Sequence, residues 1–186
     1  TVVPANVAPV LTNPGNQGGT VGTALSLQIA ASDADGDTLG YAAIGLPAGL
    51  SINTGTGLIT GVPTAAGTSS VTIAVADGRG GNDTAGFTWT VTPANVAPVL
   101  NNPGNQTGTV GVAVNLQLAA TDANGDALNY NAAGLPAGLS INSTSGRISG
   151  TPTTAGTSNV TIAVSDGRGG SDTESFTWTI APAPPV

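Results

Sequence analysis

The sequence of 186 residues has no cysteine, histidine or lysine, and its three basic residues are all arginine. The lack of cysteine excludes disulfides. The lack of histidine, cysteine and lysine removes the commonest general bases and nucleophiles of enzymes. Ten acidic residues leave a formal net charge of −7, whereas nucleic acids and anionic membranes attract basic patches. The composition therefore predicts a protein that is not an enzyme and that binds no nucleic acid.

Long apolar runs are also missing, because no stretch approaches the roughly 18–20 residues that cross a bilayer. We therefore expect no membrane insertion. No basic segment followed by an apolar stretch opens the chain, so we expect any signal peptide to lie outside this sequence. The chain is rich in turn-forming residues instead, with 28 glycines and 13 prolines, which disfavour helices. We expect a segment of a longer extracellular or cell-surface protein.

The chain repeats itself with a period of 89 residues. This offset matches 61 of the 87 positions from residue 6 to residue 92 without a gap. The period is too long for a solenoid unit of about 20–50 residues and suits a whole domain. We predict two domains, residues 1–93 and 94–186. Residues 93–98 (PANVAP) repeat residues 4–9, and their prolines predict an extended, fairly stiff connection.

Apolar residues within each copy alternate with polar ones, which is typical of strands with one buried face. The first copy has Val71, Ile73 and Val75 in one such run and Phe87, Trp89 and Val91 in another. Strands are predicted at residues 25–31, 38–44, 50–53, 58–61, 71–75 and 87–91, with a short edge strand near Val10. About seven strands in some 90 residues predict an all-β fold of two tandem Ig-like sandwiches.

A longer motif supports this fold. Residues 45–53 (GLPAGLSIN) are followed by Gly57, Gly61 and the pairs at 63–64 (PT) and 67–68 (GT), and the second copy repeats the pattern. These features resemble the bacterial putative Ig domain family, which is related to dystroglycan-type cadherin-like domains. The resemblance implies adhesive modules, spacers or parts of carbohydrate-active proteins, and it implies calcium binding near domain junctions.

The acidic residues gather in two loops of each copy, DADGD at 33–37 and DGRGGND at 77–83. In an Ig sandwich these loops lie at the end where the chain enters its first strand. Carboxylate and amide oxygens there suit Ca²⁺, which takes six to eight oxygen ligands. The candidate metal ligands are Asn6, Asp33, Asp35, Asp37, Asp77 and Asp83 in the first copy, and Asn95, Asp122, Asn124, Asp126, Asp166 and Asp172 in the second. The alternative is that these acids cap backbone amides in turns, with Arg79 and Arg168 as their partners.

The six aromatic residues bear on sugar binding, because exposed rings are common platforms for sugars. Their position on the inward side of predicted strands indicates core residues instead. The leading hypothesis is a calcium-binding adhesion or spacer module that sits among neighbouring repeats in a longer chain. Its partner would be a cell-surface or extracellular protein or polysaccharide. The alternative is a calcium-assisted carbohydrate-binding module of a polysaccharide-active protein. A glycan array with and without EDTA separates the two hypotheses.

Overall fold

The computed structural model describes residues 5–185, so Pro4 of the predicted entry segment lies outside the described part. Within residues 5–185 all regular structure is β-strand. One compact unit ends at Ala94 and the second begins at Asn95. Among the described residues each unit contains a four-stranded and a three-stranded sheet with one short two-stranded pair, and the predicted all-β fold of two tandem Ig-like sandwiches is confirmed.

In the described part of the chain each unit contains nine strand segments. In the first unit they are β1 (Val10–Leu11), β2 (Gln17–Thr20), β3 (Leu25–Gln28), β4 (Ala31–Ser32), β5 (Gly40–Ile44), β6 (Leu50–Ile52), β7 (Leu58–Gly61), β8 (Gly67–Ala76) and β9 (Asn82–Thr92). In the second unit they are β10 (Val99–Leu100), β11 (Gln106–Thr109), β12 (Val114–Gln117), β13 (Ala120–Thr121), β14 (Asn129–Ala133), β15 (Leu139–Ile141), β16 (Arg147–Gly150), β17 (Gly156–Ser165) and β18 (Ser171–Ala181).

The two units share one topology. A four-stranded sheet has the order β2-β9-β8-β5 in the first unit and β11-β18-β17-β14 in the second. A three-stranded sheet has the order β3-β7-β6, or β12-β16-β15. Each short pair joins the strand that follows the entry segment, β1 or β10, to the strand that precedes an acidic loop, β4 or β13. Pairing is antiparallel throughout these sheets except for β2 with β9 and β11 with β18.

The alternating pattern of the long hairpin strands fills the core. Val71, Ile73 and Val75 of β8 are 0–1% exposed, and Trp89 of β9 is 2% exposed. Each unit has a core cluster of its own. Phe87, Phe176, Trp178 and Tyr130 are buried as well, and Tyr41 packs against the first core. The prediction that all six aromatic residues belong to the cores is confirmed.

One strand prediction needs correction, and one further strand was not predicted. Residues 25–31 do not form one strand, because β3 pairs with β7 as far as Gln28, whereas β4 pairs with β1. Between them the Ile29 N–H donates to the Gly57 carbonyl. Strand β2 was not predicted, because its sequence Gln-Gly-Gly-Thr lacks the apolar alternation of the other strands. It forms through parallel pairing with β9.

Candidate metal centre

Strand pairing brings three segments of each unit to one end of the sandwich. Antiparallel pairing of Val10 with Ser32 places the entry segment, residues 5–9, beside the loop at residues 33–37. The hairpin between β8 and β9 supplies the third segment, residues 77–81, closed by a hydrogen bond from the Asp77 N–H to the Gly81 carbonyl. The predicted meeting of the two acidic loops with the chain entry is therefore observed.

The loop at residues 33–37 is folded around the first of its carboxylates. Asp33 Oδ1 accepts hydrogen bonds from the N–H groups of Asp35 at 2.9 Å and Asp37 at 3.1 Å. Gly36 adopts a φ of 74°, a left-handed conformation that glycine takes at no steric cost. One carboxylate oxygen from each of Asp33, Asp35 and Asp37 lies within 4.8 Å of the others. This turn therefore concentrates three negative charges in one small volume.

Asp77 is the buried anchor of the neighbouring hairpin, with only 5% of its surface exposed. Its Oδ1 accepts from the N–H groups of Arg79 at 2.7 Å and Gly81 at 3.0 Å. Its Oδ2 accepts from Asn6 Nδ2 at 2.7 Å. The Asn6 hydrogen bond, followed by that from the Arg79 N–H, lowers the pKa of Asp77 below its ordinary value, because both favour the charged form.

Two further contacts join the three segments into a ring. The N–H of Val7 donates to Asp35 Oδ2 at 2.7 Å, one residue after Asn6. On the other side, Arg79 Nε lies 3.2 Å from Asp37 Oδ1. Backbone donors such as the Val7 N–H carry no signature in a sequence, so sequence reasoning could not find this contact.

The second unit repeats the arrangement with one change of charge. Asn95 Nδ2 donates to Asp166 Oδ2 at 2.7 Å, and this contact is the main cause that lowers the pKa of Asp166. The Val96 N–H donates to Asn124 Oδ1 at 2.8 Å, so the amide oxygen takes the place of the Asp35 carboxylate. Asp122 Oδ1 accepts from the N–H of Asp126 at 3.1 Å.

Two carboxylate oxygens in each unit are buried without a hydrogen-bond partner among the described residues. They are the Oδ2 atoms of Asp33 and Asp37 in the first unit and of Asp122 and Asp126 in the second. The side chains of Asp37 and Asp126 are only 11% and 10% exposed. A buried unpaired acceptor costs about 1–3 kcal/mol, more when it is charged. These atoms therefore fit a hard cation, which carboxylate oxygens bind directly.

Asp83 and Asp172 make a different set of contacts. Asp83 Oδ2 accepts from the Leu11 N–H at 2.8 Å, and its Oδ1 accepts from the Thr84 N–H at 2.7 Å. These two hydrogen bonds, that of Leu11 first, lower the pKa of Asp83. Asp172 makes the same contacts with Leu100 and Thr173. Their observed contacts hold β1 to β9 and β10 to β18, and metal binding by these two residues stays a prediction.

Comparison with known proteins identifies relatives of both copies. Residues 8–92 and 97–181 match the family model described as "Putative Ig domain". The chain is 35% identical over 175 residues to the serine-rich adhesin for platelets of Staphylococcus aureus, and 35% identical to that of strain MRSA252. These alignments cover 93% of the chain but only 8% and 13% of the relatives.

Solved structures share the fold at low sequence identity. The EC1-2 fragment of human protocadherin-24 aligns over 97% of this chain and all of its own, with a TM-score of 0.62 and 17% identity. Mouse cadherin-23 EC22-24 aligns over 95% of this chain and 65% of its own, with a TM-score of 0.53 and 19% identity. Within the described residues no helix has the length and apolar character needed to cross a membrane.

Proposed function

The chain belongs to the putative Ig domain family, and from that premise we propose a calcium-binding adhesion or spacer segment of a bacterial surface or secreted protein. The relatives are staphylococcal adhesins by name, which supports the adhesive role. The chain spans about a tenth of their length, so the proposal concerns a segment that holds or extends other parts of a longer protein. Neighbouring repeats and an extracellular protein or polysaccharide are its proposed partners.

The observation that carries the calcium proposal is the pair of buried carboxylate oxygens in each acidic loop that have no hydrogen-bond partner within residues 5–185. Asp33, Asp35 and Asp37 would hold the ion in the first unit, and Asp122, Asn124 and Asp126 would hold it in the second. When bound, the ion supplies positive charge and coordination to oxygens that lack a donor. Asn6, Asp77, Asn95 and Asp166 support these loops from the adjoining segments and belong to the proposed site.

Turn capping alone accounts for only part of the loop geometry. It explains Asp33 Oδ1, which accepts two backbone N–H groups, and Asp37 Oδ1, which faces Arg79. It leaves the Oδ2 atoms of the same two carboxylates without donors, although both are buried. These oxygens support a second role for the two carboxylates, and we propose cation binding as that role.

The site also lies where the chain enters the second unit. Only Pro93 and Ala94 separate the end of β9 from Asn95. Asn95 and Val96 donate to Asp166 and Asn124 of the second unit. The entry segment is thus attached to the same loops that would hold the ion. Calcium would therefore strengthen the attachment of this entry to the second unit, which suits a spacer.

Thermal unfolding with calcium and with EDTA tests the proposal. With one ion per loop and a dissociation constant on the order of 10⁻⁴ M, a calcium concentration of about 10 mM stabilises a unit by about 2.7 kcal/mol. Asp122→Ala should remove this increment from the second unit only, and Asp33→Ala from the first. Glu174→Gln is the matched control, because it removes one negative charge from the second unit at a carboxylate that accepts a hydrogen bond from Asn102 and lies outside the acidic loops. Equal melting curves in calcium and EDTA would refute the proposal.

The carbohydrate-binding alternative has less support. All six aromatic residues contribute to the two cores, so the chain presents no aromatic platform for a sugar ring. Contacts of loop hydroxyl and amide groups with a sugar would be its only basis. A glycan array tests it, since binding to a defined sugar that EDTA abolishes would favour that function over a spacer.

A further inference from the structure

We propose that Arg79 and Arg168 set the calcium affinity of the two acidic loops, because each guanidinium acts as a built-in counter-cation that a divalent ion must displace. This inference rests on the proposed calcium site and specifies how that site is tuned. It assigns to the two arginines a role beyond that of turn partners.

The geometry is the same in both units. Arg79 Nε lies 3.2 Å from Asp37 Oδ1, and Arg168 Nε lies 3.0 Å from Asp126 Oδ1. The arginine side chains are 65% and 67% exposed, whereas their carboxylate partners are 11% and 10% exposed. Each pair thus joins a largely exposed cation to a nearly buried anion. The guanidinium can leave for solvent without disturbing the packing around the carboxylate.

The backbone of each arginine is held independently of its side chain. The Arg79 N–H donates to Asp77 Oδ1, and the Arg168 N–H donates to Asp166 Oδ1, both at 2.7 Å. A substitution at either position keeps this contact and removes only the guanidinium. The hairpin is therefore expected to retain its shape in such a variant.

The charge balance explains why the guanidinium would oppose the ion. Three carboxylates meet within 4.8 Å in the first loop and repel one another. One guanidinium offsets part of this repulsion but faces only Oδ1 of Asp37, and the buried Oδ2 atoms stay without a donor. A divalent cation that reaches those atoms lies close to the guanidinium and is repelled by it. Binding then requires the arginine to swing away, which lowers the affinity.

The two loops should differ in affinity. In the second unit Asn124 stands where the first has Asp35, so its loop has two carboxylates instead of three. Both loops keep one arginine with the same contact. The counter-cation therefore cancels a larger share of the negative charge in the second unit, and we expect the first unit to bind calcium more tightly.

Calorimetric titration of the full chain with calcium chloride at low ionic strength tests the inference. Arg79→Met and Arg168→Met should each tighten the site of their own unit by about fivefold or more, since a unit charge at contact distance in water changes binding by about that factor. Arg168→Lys, which keeps the charge, should stay close to the unaltered chain. Arg147→Met is the control for net charge, because Arg147 lies in β16 and donates to Asn115 of the neighbouring strand β12 rather than to an acidic loop.

The outcomes separate the inference from the proposed function. Calcium binding by the unaltered chain with no tightening in either methionine variant would overturn the inference and leave the calcium site intact. Absence of calcium binding in every variant would overturn both. Binding only in the methionine variants would support the counter-cation and would contradict calcium binding by the unaltered chain. Circular dichroism in EDTA verifies folding, and Arg168→Gln serves as a second neutral replacement if the methionine variant unfolds.

Discussion

Replacement of Trp89 by alanine should destabilise the first unit severely and leave the second unit as it is. Trp89 is 2% exposed and lies on the inward side of β9, with its ring centre 6.1 Å from that of Phe87. Truncation of a large buried aromatic side chain costs about 3–5 kcal/mol, because it leaves a cavity. A domain of this length has a total stability of about 5–14 kcal/mol. The variant therefore loses a large share of the stability of its unit.

The two tryptophans provide the assay, because each unit contains one. In Trp89→Ala the remaining fluorescence comes from Trp178, which is 1% exposed in the second core. Denaturant unfolding followed by fluorescence should then report the second unit with an unchanged midpoint, while circular dichroism shows an earlier transition of the first. Trp178→Ala should reverse the assignment, and Thr88→Ala, at an exposed position of β9, is the control. A loss below about 1 kcal/mol in Trp89→Ala would refute the assignment of this residue to the core.

Three further predictions concern the candidate site. The Asn6 hydrogen bond lowers the pKa of Asp77 below 3.8, so ionised Asp77 stabilises the fold above that pH. This stability should be lost as the pH falls through the lowered pKa. Thermal melts between about pH 2 and 5 should show the loss, and a melting temperature that does not change with pH would contradict the prediction. Asn6→Ala should raise the pKa of Asp77 toward its ordinary value and make the decline shallower, as carboxyl NMR titration would reveal, whereas an unchanged pKa would mean that Asn6 is not the main cause. Gly81→Ala should disrupt the hairpin, because a Cβ there would collide with Asp77 Oδ2 and would lie 2.8 Å from Ala8 Cα. Gly86→Ala is the control, since a Cβ at Gly86 meets nothing closer than 3.9 Å. Equal melting temperatures of the two variants would contradict the close packing at Gly81.

The sequence predicted those strands whose apolar residues alternate without interruption. Residues 71–75 and 87–91 lie in β8 and β9, which form the hairpin at the centre of the large sheet. Strand β2 was not predicted, because its two glycines give no alternation of apolar and polar residues. It forms by pairing with β9, which is distant in the sequence. The division between β3 and β4 likewise follows from two different partners, which local alternation does not reveal.

For the site, the composition of the loops predicted which residues meet but not how their oxygens are used. The concentration of most acids in two segments of each copy was enough to place Asn6 near Asp77 and the acidic turn near Arg79. The sequence could not indicate that Asp83 uses both oxygens on backbone N–H groups, while Asp33 and Asp37 each keep a buried oxygen without a donor. That difference depends on the exact direction of backbone donors, which only the folded chain defines.

Direct measurement of calcium uptake by the full chain tests the proposed function most closely. Equilibrium dialysis or calorimetry should give two ions per chain with dissociation constants on the order of 10⁻⁴ M. The double variant Asp33→Asn with Asp37→Asn should retain one ion in the second unit, and Asp122→Asn with Asp126→Asn should retain one in the first. No saturable uptake by the unaltered chain, or uptake that neither double variant reduces, would contradict the assignment of these loops as calcium sites.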